Sequence, residues 1–271
     1  MPEKFIDWIY WKLGDCIAED YMIPYNQKMF GENLNQLGTY WLEKLPNVSY
    51  EETKLSCENH RPYGTQPGHA QFYYPKKYGY GEIWLRMADA IKGNIEYGKT
   101  VKGIDFSNKI VFTEDGDKYQ ADIITSILWL EFDNNIGMPD KLKDGIKELK
   151  YSSVQTEYFS DKLDTGAQWI YYPDPNLSYH RILVRHNFCP DSKGYWTETN
   201  SNRVIETNNY HYMNKYAYPL NTIRKPEIMK ELLAWSREYG VIGLGRWGEH
   251  SHYNSDVTVD LAIKQAKEII D

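Results

Sequence analysis

The spacing of apolar residues predicts helices at both ends of the chain. Phe5, Trp8 and Ile9 recur at helical intervals up to Gly14, a residue suited to the end of a helix. The other predicted helices are a short one from Asp15 and longer ones over residues 39–46, 83–91, 139–150, 226–240 and 256–270. Pro24 and Gly31 bracket a predicted stiff connector. Residues 47–72 show no period and are predicted to form a loop or lid.

The middle of the chain favours strands. They are predicted over residues 100–106, 109–113, 118–128, 153–159, 168–172, 180–186 and 203–207. The apolar run 123–128 is typical of a strand buried on both faces. Short connections after residue 150 predict an antiparallel sheet. Because helices and strands alternate without a regular βαβ repeat, the predicted fold class is α+β with a mixed, mainly antiparallel sheet.

This pattern divides the chain into four predicted parts. Residues 1–72 are predicted to form a helical subdomain with its loop or lid, and residues 73–138 an α/β part. Residues 139–225 are predicted to form an antiparallel-sheet domain that binds substrate, and residues 226–271 a strand-turn-helix.

Composition narrows the classes of function. Among 271 residues, 31 Lys and Arg oppose 38 Asp and Glu, and this net charge of −7 argues against nucleic acid as a partner. The 24 tyrosines suit the walls of sites for sugars, nucleotides and other polar rings. Three scattered cysteines form no disulfide framework. Because no signal-peptide pattern or membrane-length apolar run is present, a cytoplasmic protein without a membrane partner is expected.

The glycine-rich turn that begins at Gly243 has two interpretations. Its small residues would let a ligand approach the backbone, with Arg246 as a fixed cation next to the start of a helix. Alternatively it is a tight strand-to-helix turn in which Arg246 pairs with Glu249. The turn lacks the downstream acidic residue of a dinucleotide-binding fingerprint, so its spacing leaves both interpretations open.

Six motifs in a fixed order carry a family resemblance. They are Met22-Ile-Pro-Tyr-Asn-Gln-Lys-Met-Phe-Gly, Tyr74-Pro-Lys-Lys-Tyr-Gly-Tyr-Gly-Glu, Trp169-Ile-Tyr-Tyr-Pro-Asp, Tyr179-His-Arg-Ile, Tyr216-Ala-Tyr-Pro-Leu and Gly245-Arg-Trp-Gly-Glu, the last followed by Tyr253-Asn-Ser-Asp. Together they resemble the flavin-dependent amine oxidoreductase superfamily, in the branch that contains UDP-galactopyranose mutase and protoporphyrinogen-oxidase-like proteins. The likeness extends over nearly the whole chain.

The resemblance implies FAD as cofactor and a small-molecule substrate, with a nucleotide sugar as one option. The residues that it assigns to the flavin are Arg246, Asn254, Ser255 and Gly245. Those that it assigns to the substrate are Arg181, Tyr218 and His252. His252 replaces a phosphate-binding tyrosine of the mutases and Asn254 replaces an aspartate, so UDP-galactose itself is not the expected substrate.

Members of this superfamily begin with a Rossmann unit that holds the FAD pyrophosphate, and this chain begins after it. The resemblance therefore implies an incomplete FAD-binding domain that does not bind FAD tightly by itself. The missing half could be a separate Rossmann-type polypeptide, or the chain could be a truncated copy or a homodimer with another use. The leading hypothesis is the substrate-binding or cap portion of a flavin-dependent oxidoreductase or mutase-like enzyme. The alternative is a non-catalytic remnant or ligand-binding module without a cofactor.

Some of the candidate site residues also have explanations that involve no ligand. Arg181 could pair across its strand with an acid instead of binding a ligand, and Tyr218 could simply pack beside Pro219. Five histidines lie in the second half of the chain, but none shows the spacing of a zinc site, so no metal is expected.

Overall fold

The computed structural model describes residues 1–31, 33–42, 49–61, 63–64 and 72–270. The fold is α+β, as the residue pattern predicts. Its α-helices are α1 (Phe5–Ile17), α2 (Ile23–Phe30), α3 (Tyr50–Asn59), α4 (Gly81–Ala90), α5 (Asp140–Glu148), α6 (Arg185–Phe188), α7 (Lys225–Glu238), α8 (Gly245–Gly248) and α9 (Ser255–Ile270).

The first helices form more continuously than predicted. Helix α1 is interrupted at Gly14, whose φ of 75° is not helical, and a π-helical turn over Ala18–Met22 leads directly into α2. The prediction of a stiff connector between Pro24 and Gly31 is wrong, because Pro24 lies in the first turn of α2, where the fixed φ of proline fits a helix. Gly31 ends α2 with a φ of 98°.

Two predictions between residues 39 and 72 also fail. Residues 39–42 form a turn instead of a helix, closed by a hydrogen bond from the Leu42 N–H to the Thr39 carbonyl, and residues 43–46 of that prediction lie outside the described residues. Part of the predicted loop is helix α3. Ser49 and Glu52 cap each other's backbone N–H groups in a capping box that starts this helix.

The helical part has its own apolar core, which Lys28 connects to the sheet beyond it. The buried residues of this core are Phe5, Trp8, Ile9, Ala18, Leu34, Leu37 and Leu42. At the end of α2, the fully buried Lys28 ammonium donates to the carbonyls of Tyr172 and Asp174, each at 2.8 Å. These bonds hold the turn at residues 172–174 against the helical part.

The strands of the described ranges form three sheets. A four-stranded sheet has the order β3-β2-β1-β5, and a five-stranded antiparallel sheet has the order β10-β6-β9-β8-β7. A third sheet contains only the parallel pair β4 and β11. The bounds are β1 (Val101–Asp105), β2 (Ile110–Thr113), β3 (Lys118–Gln120), β4 (Ile124–Thr125), β5 (Asn134–Ile136), β6 (Tyr151–Phe159), β7 (Trp169–Tyr171), β8 (Arg181–Val184), β9 (Tyr195–Asn200), β10 (His211–Pro219) and β11 (Val241–Ile242).

The antiparallel sheet is confirmed, with corrections to its strands. The strand predicted over residues 203–207 is absent, and β9 and β10 occupy the segments on either side of it. Outside the five-stranded sheet, the strand predicted over residues 118–128 is divided into the short strands β3 and β4. Within its apolar run Ile127 is buried but Ile123 is exposed, so the run is not covered on both faces.

A second apolar core lies between the four-stranded sheet, the β4–β11 pair and helices α5 and α7. Its fully or nearly fully buried members include Ile104, Phe106, Trp129, Leu232 and Val241. Helices α4 and α9 are different, because neither has a single buried residue. In the described ranges, no helix is long and apolar enough to cross a membrane.

Candidate functional site

The glycine-rich turn after β11 is closed by contacts between its own glycines. A Cβ atom on Gly243 would lie 2.4 Å from the Gly248 carbonyl oxygen and 2.3 Å from Leu233 Cδ2, so no larger residue fits there. Gly245 has a φ of 77°, a conformation that favours glycine. The turn continues through the short helix α8 to the start of α9 and so fixes where Arg246 lies.

Glu249 stabilises this turn, but not through Arg246. Its carboxylate accepts the Tyr253 hydroxyl at 2.8 Å and the Gly245 N–H at 3.3 Å. The interpretation in which Arg246 pairs with Glu249 is therefore wrong. The guanidinium of Arg246 donates instead to the carbonyls of Tyr253 and Ala217.

The Arg246 guanidinium is half-buried, and its partners among the described residues are backbone carbonyls. Nε and Nη2 donate to the Tyr253 carbonyl at 3.1 and 2.7 Å, and Nη1 donates to the Ala217 carbonyl at 3.0 Å. Burial lowers the pKa of Arg246 from its ordinary value, yet an arginine stays charged. In the part of the chain that the structure describes, no carboxylate pairs with it. Carbonyl oxygens thus hold this positive charge near the start of α9, whose first turn also carries Asp256.

A groove of about 650 Å³ opens beside Arg246. Arg246, Tyr253 and Ser255 form its polar end, and side chains of α4 and α9 form the rest. The apolar lining consists of Trp84, Met87, Val259, Ala262, Ile263 and Ala266. We call this combination of Arg246, Tyr253, Ser255 and the adjoining groove the Arg246 corner.

The start of α9 borders this corner. The Ser255 hydroxyl makes a short contact with the Tyr80 hydroxyl, which connects α9 to the residue before α4. Asn254 directly precedes α9 and is exposed, and its carbonyl accepts the Thr258 N–H at 3.0 Å. Gly245 is buried, and its N–H is already bonded to Glu249. Of these residues, Ser255 lines the groove and Gly245 does not.

A second cluster of polar residues surrounds Arg181 on the five-stranded sheet. Arg181 on β8 is the register partner of Glu198 on β9, and its Nε and Nη2 donate to Glu198 Oε2 at 2.9 and 2.6 Å. The two side chains keep only 24% and 12% of their exposure. The structure therefore contains the cross-strand ion pair that the sequence left as one of two explanations of Arg181. We call Arg181, Glu198, His180 and Tyr218 the Arg181 cluster.

Burial and charge act against each other in the Arg181 cluster. Burial favours a raised pKa for Glu198, but contacts with His180 and Arg181 outweigh it and hold that pKa below its usual range. His180 is fully buried, and burial lowers its pKa. Its Nε2 lies 3.5 Å from Glu198 Oε2, and among the described residues neither ring nitrogen has a hydrogen bond of normal length. The cluster thus holds one arginine–carboxylate pair beside a neutral imidazole.

Tyr218 connects the Arg181 cluster to the Arg246 corner. Its hydroxyl accepts Arg181 Nη2 at 3.3 Å, and its ring lies 5.0 Å from that of His252. Burial, followed by the Glu198 charge, raises the pKa of Tyr218, so the phenol keeps its proton. The carbonyl of the preceding residue, Ala217, accepts from Arg246. Arg181, Tyr218, His252 and Arg246 therefore lie along one continuous stretch of the molecule.

The sequence analysis missed Glu198 and the apolar side of the Arg246 corner. Glu198 was missed because β9 was not predicted, although its Tyr-Trp-Thr-Glu-Thr-Asn composition is typical of a strand. From α4, Trp84 and Met87 line the open groove, and helical spacing alone does not indicate whether an apolar face is buried. In the described ranges, no three His, Cys, Asp or Glu side chains are grouped to hold a metal ion.

Comparisons with known proteins concern the fold. No protein-family model matches the chain. A crystal structure of reduced UDP-galactopyranose mutase matches it with a TM-score of 0.79 at 17% identity, over 92% of this chain and 62% of the mutase chain. A CLA-producing fatty acid isomerase from P. acnes matches with a TM-score of 0.61 at 11% identity, over 98% of this chain and 66% of the isomerase.

A third structure, a candidate protoporphyrinogen oxidase from Exiguobacterium sp. 255-15, has a TM-score of 0.56 at 12% identity, over 89% of this chain and 61% of that protein. The chain thus spans less than two thirds of the length of each of these proteins. At the level of the fold, the likeness agrees with the predicted resemblance: the chain shares its fold with part of the mutase and of the candidate oxidase.

Proposed function

We propose that this chain forms the substrate-side wall and one end of the flavin pocket in a flavin-dependent oxidoreductase or mutase-like enzyme. The Arg246 corner would face the flavin ring, and the Arg181 cluster would face the substrate. The observation that supports the proposal most strongly is the Arg246 guanidinium beside an apolar groove, which pairs with no carboxylate among the described residues.

The Arg246 corner suits a flat ring system that carries negative charge at one edge. A volume of about 650 Å³ accommodates a ring system, and its lining offers apolar contact along α4 and α9. Arg246 and the first turn of α9 would favour negative charge at the polar end, because a helix start carries partial positive charge. Arg246 and Ser255 are the residues that we expect to hold the ring edge.

The described residues offer fewer contacts for the phosphate end of FAD. The glycine turn is packed against itself at Gly243 and Gly248, and the Gly245 N–H is already used by Glu249. These groups are therefore not available to bind a pyrophosphate. We expect the other FAD contacts to come from a Rossmann-type segment outside these 271 residues, and FAD binding by this chain alone to be weak.

For the substrate, we propose a small anionic molecule, with a nucleotide sugar as one candidate. Arg181 would supply positive charge, Tyr218 a neutral phenol donor, and His252 a polar ring tilted against that phenol. Glu198 neutralises part of the Arg181 charge and holds the guanidinium against the sheet. The arginine would thus be oriented before a ligand arrives.

A bound flavin would supply redox or covalent chemistry at its own ring. This chain's residues would position the reactants and balance charge. Arg246 would stabilise a negative ring edge, Tyr253 and Ala217 would hold Arg246 in place through their carbonyls, and α4 would exclude water from one side of the groove.

The proposal predicts a specific effect of Arg246→Ala. Titration of the protein with FAD and with lumiflavin, the ring without its phosphates, should quench flavin fluorescence in both cases. Because a hydrogen bond to a charged group contributes about 1.5–3 kcal/mol, Arg246→Ala should weaken binding by roughly 10- to 100-fold. The loss should be larger for the reduced, anionic ring.

Arg237→Ala is the matched control, since Arg237 is exposed on α7 and pairs with Glu268 away from this groove. It should leave flavin binding unchanged. If neither FAD nor lumiflavin binds at millimolar concentration, or if both arginine variants behave alike, the flavin role is wrong. The alternative of a ligand-binding module without a cofactor would then stand.

A further inference from the structure

A row of polar side chains crosses one face of the five-stranded sheet. Tyr171 on β7 is the register partner of Arg181 on β8, Arg181 is that of Glu198 on β9, and Glu198 is that of Thr156 on β6. Residues directly opposite each other in antiparallel strands point to the same face of the sheet. The Arg181–Glu198 pair thus has a hydroxyl group on either side of it. We call these four residues the cross-strand row.

Glu198 occupies the part of Arg181 that would otherwise bind a phosphate through two bonds. Nε and Nη2 both donate to Glu198 Oε2, and Nη2 also donates to the Tyr218 hydroxyl at 3.3 Å. A guanidinium binds a phosphate or carboxylate most strongly through two neighbouring N–H groups. Of the Arg181 nitrogens, Nη1 alone has no acceptor among the described residues. Arg181 therefore has one nitrogen to offer to a ligand.

Glu198 keeps one carboxylate oxygen for a ligand. Oε2 faces Arg181 and lies 3.5 Å from His180 Nε2, whereas Oε1 accepts no hydrogen bond within the described ranges. Both the Arg181 and the Glu198 side chains are partly open to solvent. An ionised carboxylate accepts hydrogen bonds and donates none. A ligand that uses both atoms must therefore accept from Arg181 Nη1 and donate to Glu198 Oε1.

The charges of the Arg181 cluster cancel. Arg181 contributes one positive charge and Glu198 one negative charge, and burial lowers the pKa of His180, which stays neutral at pH 7. Lys28 lies nearby, but its ammonium is fully buried and donates to two backbone carbonyls. A diphosphate would bring at least two negative charges next to Glu198, and the cluster has no second cation to balance them.

Tyrosine rings border the cross-strand row on the side of α2. Tyr25 on α2 packs edge-on against Tyr171, with ring centres 5.3 Å apart, and stacks on Tyr21 at 5.8 Å. Tyr21 and Tyr171 each retain 37% of their exposure. Burial raises the pKa of Tyr25 against the opposing effect of the Arg181 charge, so this phenol stays protonated. Partly exposed phenol rings beside hydrogen-bonding groups suit a hydroxylated ring.

We propose that Glu198 is a specificity-determining residue that selects a hydroxylated monocarboxylate of the sugar-acid class and excludes a diphosphate. One carboxylate oxygen of the ligand would accept from Arg181 Nη1. A ligand hydroxyl would donate to Glu198 Oε1 and so separate the two carboxylates. The inference rests on the proposed function for the position of the substrate, and it narrows the small anionic molecule proposed there to one negative charge.

Isothermal titration calorimetry of the full chain tests this selectivity, with D-glucuronate and inorganic pyrophosphate as probes. The parent should bind glucuronate at least tenfold more tightly than pyrophosphate. Glu198→Gln removes the negative charge but keeps an oxygen that can accept from Arg181, so the ratio of the two affinities should shift at least tenfold towards pyrophosphate. Glu148→Gln is the matched control, because Glu148 pairs with Arg224 at an exposed position. It should leave the ratio unchanged.

A second variant keeps the test decisive if Glu198→Gln does not fold. Arg181→Met combined with Glu198→Gln removes both charges of the pair, so no unpaired buried charge remains. Its circular dichroism spectrum should match that of the parent. It should bind neither glucuronate nor pyrophosphate, because it lacks the Nη1 donor and the Oε1 carboxylate oxygen.

Four results would overturn the inference. They are no glucuronate binding at millimolar concentration, tighter binding of pyrophosphate than of glucuronate by the parent, an affinity ratio that Glu198→Gln shifts no more than Glu148→Gln, and parent-like glucuronate binding by the double variant.

The inference and the proposed function fail separately, because flavin titration reports on the Arg246 corner. Glucuronate binding that responds to Glu198→Gln as expected, without any flavin binding, supports the selectivity and contradicts the flavin role. Flavin binding that Arg246→Ala weakens, without any glucuronate binding, supports the flavin role and contradicts the selectivity.

Discussion

Arg181 and Arg246 are both partly buried, yet different acceptors satisfy them. Arg181 donates to the Glu198 carboxylate, so most of its charge is balanced inside the protein. Arg246 donates to the carbonyls of Ala217 and Tyr253, which orient it without cancelling its charge. We therefore expect the first arrangement to stabilise the sheet, and under the proposed function the second would present its charge to a ligand.

This difference predicts that Arg181→Met will destabilise the protein. The substitution leaves the buried Glu198 carboxylate without its main partner, and breaking a buried pair in this way costs about 3–5 kcal/mol. Urea denaturation should report the loss as a decrease in the free energy of unfolding. A thermal-shift experiment on Arg181→Met alone therefore cannot separate a binding role from a structural one.

The double variant Arg181→Met with Glu198→Gln is the control, because it removes both charges. It should recover most of the lost stability. If the single variant unfolds within 0.5 kcal/mol of the parent, roughly the spread of neutral surface substitutions, Glu198 is better solvated than its burial indicates.

The sequence identified both arginines, but it could not assign their partners. Motif order singled out Arg181 and Arg246, whereas the choice between Glu249 and backbone carbonyls depends on how the turn closes. Glu198 could only be found by pairing β8 with β9, and register is a tertiary property.

Among the elements, the turn from β11 through α8 to α9 carries most of the site. Its position depends on the contact between Gly243 and Gly248, which leaves no room for a side chain. We predict that Gly243→Ala displaces this turn and destabilises the protein by about 1–3 kcal/mol, as expected of overpacking. Thermal unfolding and flavin titration should both show the effect.

Gly93→Ala is the matched control, since a Cβ atom at Gly93 meets nothing within 4 Å. Gly93→Ala should change neither the thermal unfolding of the protein nor its flavin binding. A Gly243→Ala protein that unfolds like Gly93→Ala would mean that the turn yields easily, and Arg246 would then not be rigidly positioned.

The sequence predicted α1, α4, α5, α7 and α9 well, because each combines helical spacing with a recognisable end. It failed for α3, where only the capping box between Ser49 and Glu52 indicates a helix and no apolar stripe accompanies it. It overestimated the strand around Ile123, because an apolar run does not reveal whether a neighbouring strand is present to cover it.

At the scale of the whole molecule, His250 joins segments that are distant in the sequence. Its Nε2 donates to the Lys150 carbonyl at 2.9 Å, and its own carbonyl accepts the buried Lys225 ammonium at 2.8 Å. The side chain is almost fully buried. Protonation of His250 would therefore place a charge between the five-stranded sheet and α7.

Global stability should accordingly decrease in mild acid. Burial lowers the pKa of His250 to about 4 from an ordinary value of 6.5. Between these pH values the unfolded chain binds a proton that the folded protein excludes, so the free energy of unfolding decreases as pH falls from about 6.5 to about 4. The loss attributable to His250 is at most about 3 kcal/mol. Urea denaturation at several pH values would measure it.

His250→Gln keeps a donor for the Lys150 carbonyl and does not titrate. Its stability should depend less on pH within this window, and His180, whose pKa burial also lowers, accounts for part of the remaining slope. Identical pH profiles for the parent and His250→Gln would contradict the assignment.

The pairing of β4 with β11 also constrains how the protein is made. The two strands are more than a hundred residues apart in the chain, so a ribosome must translate the whole five-stranded sheet before β4 can meet β11. During that interval β4 is an unpaired strand on a nascent chain, exposed to chaperones and to wrong pairing. Synthesis slow enough for the antiparallel sheet to fold first would reduce that exposure.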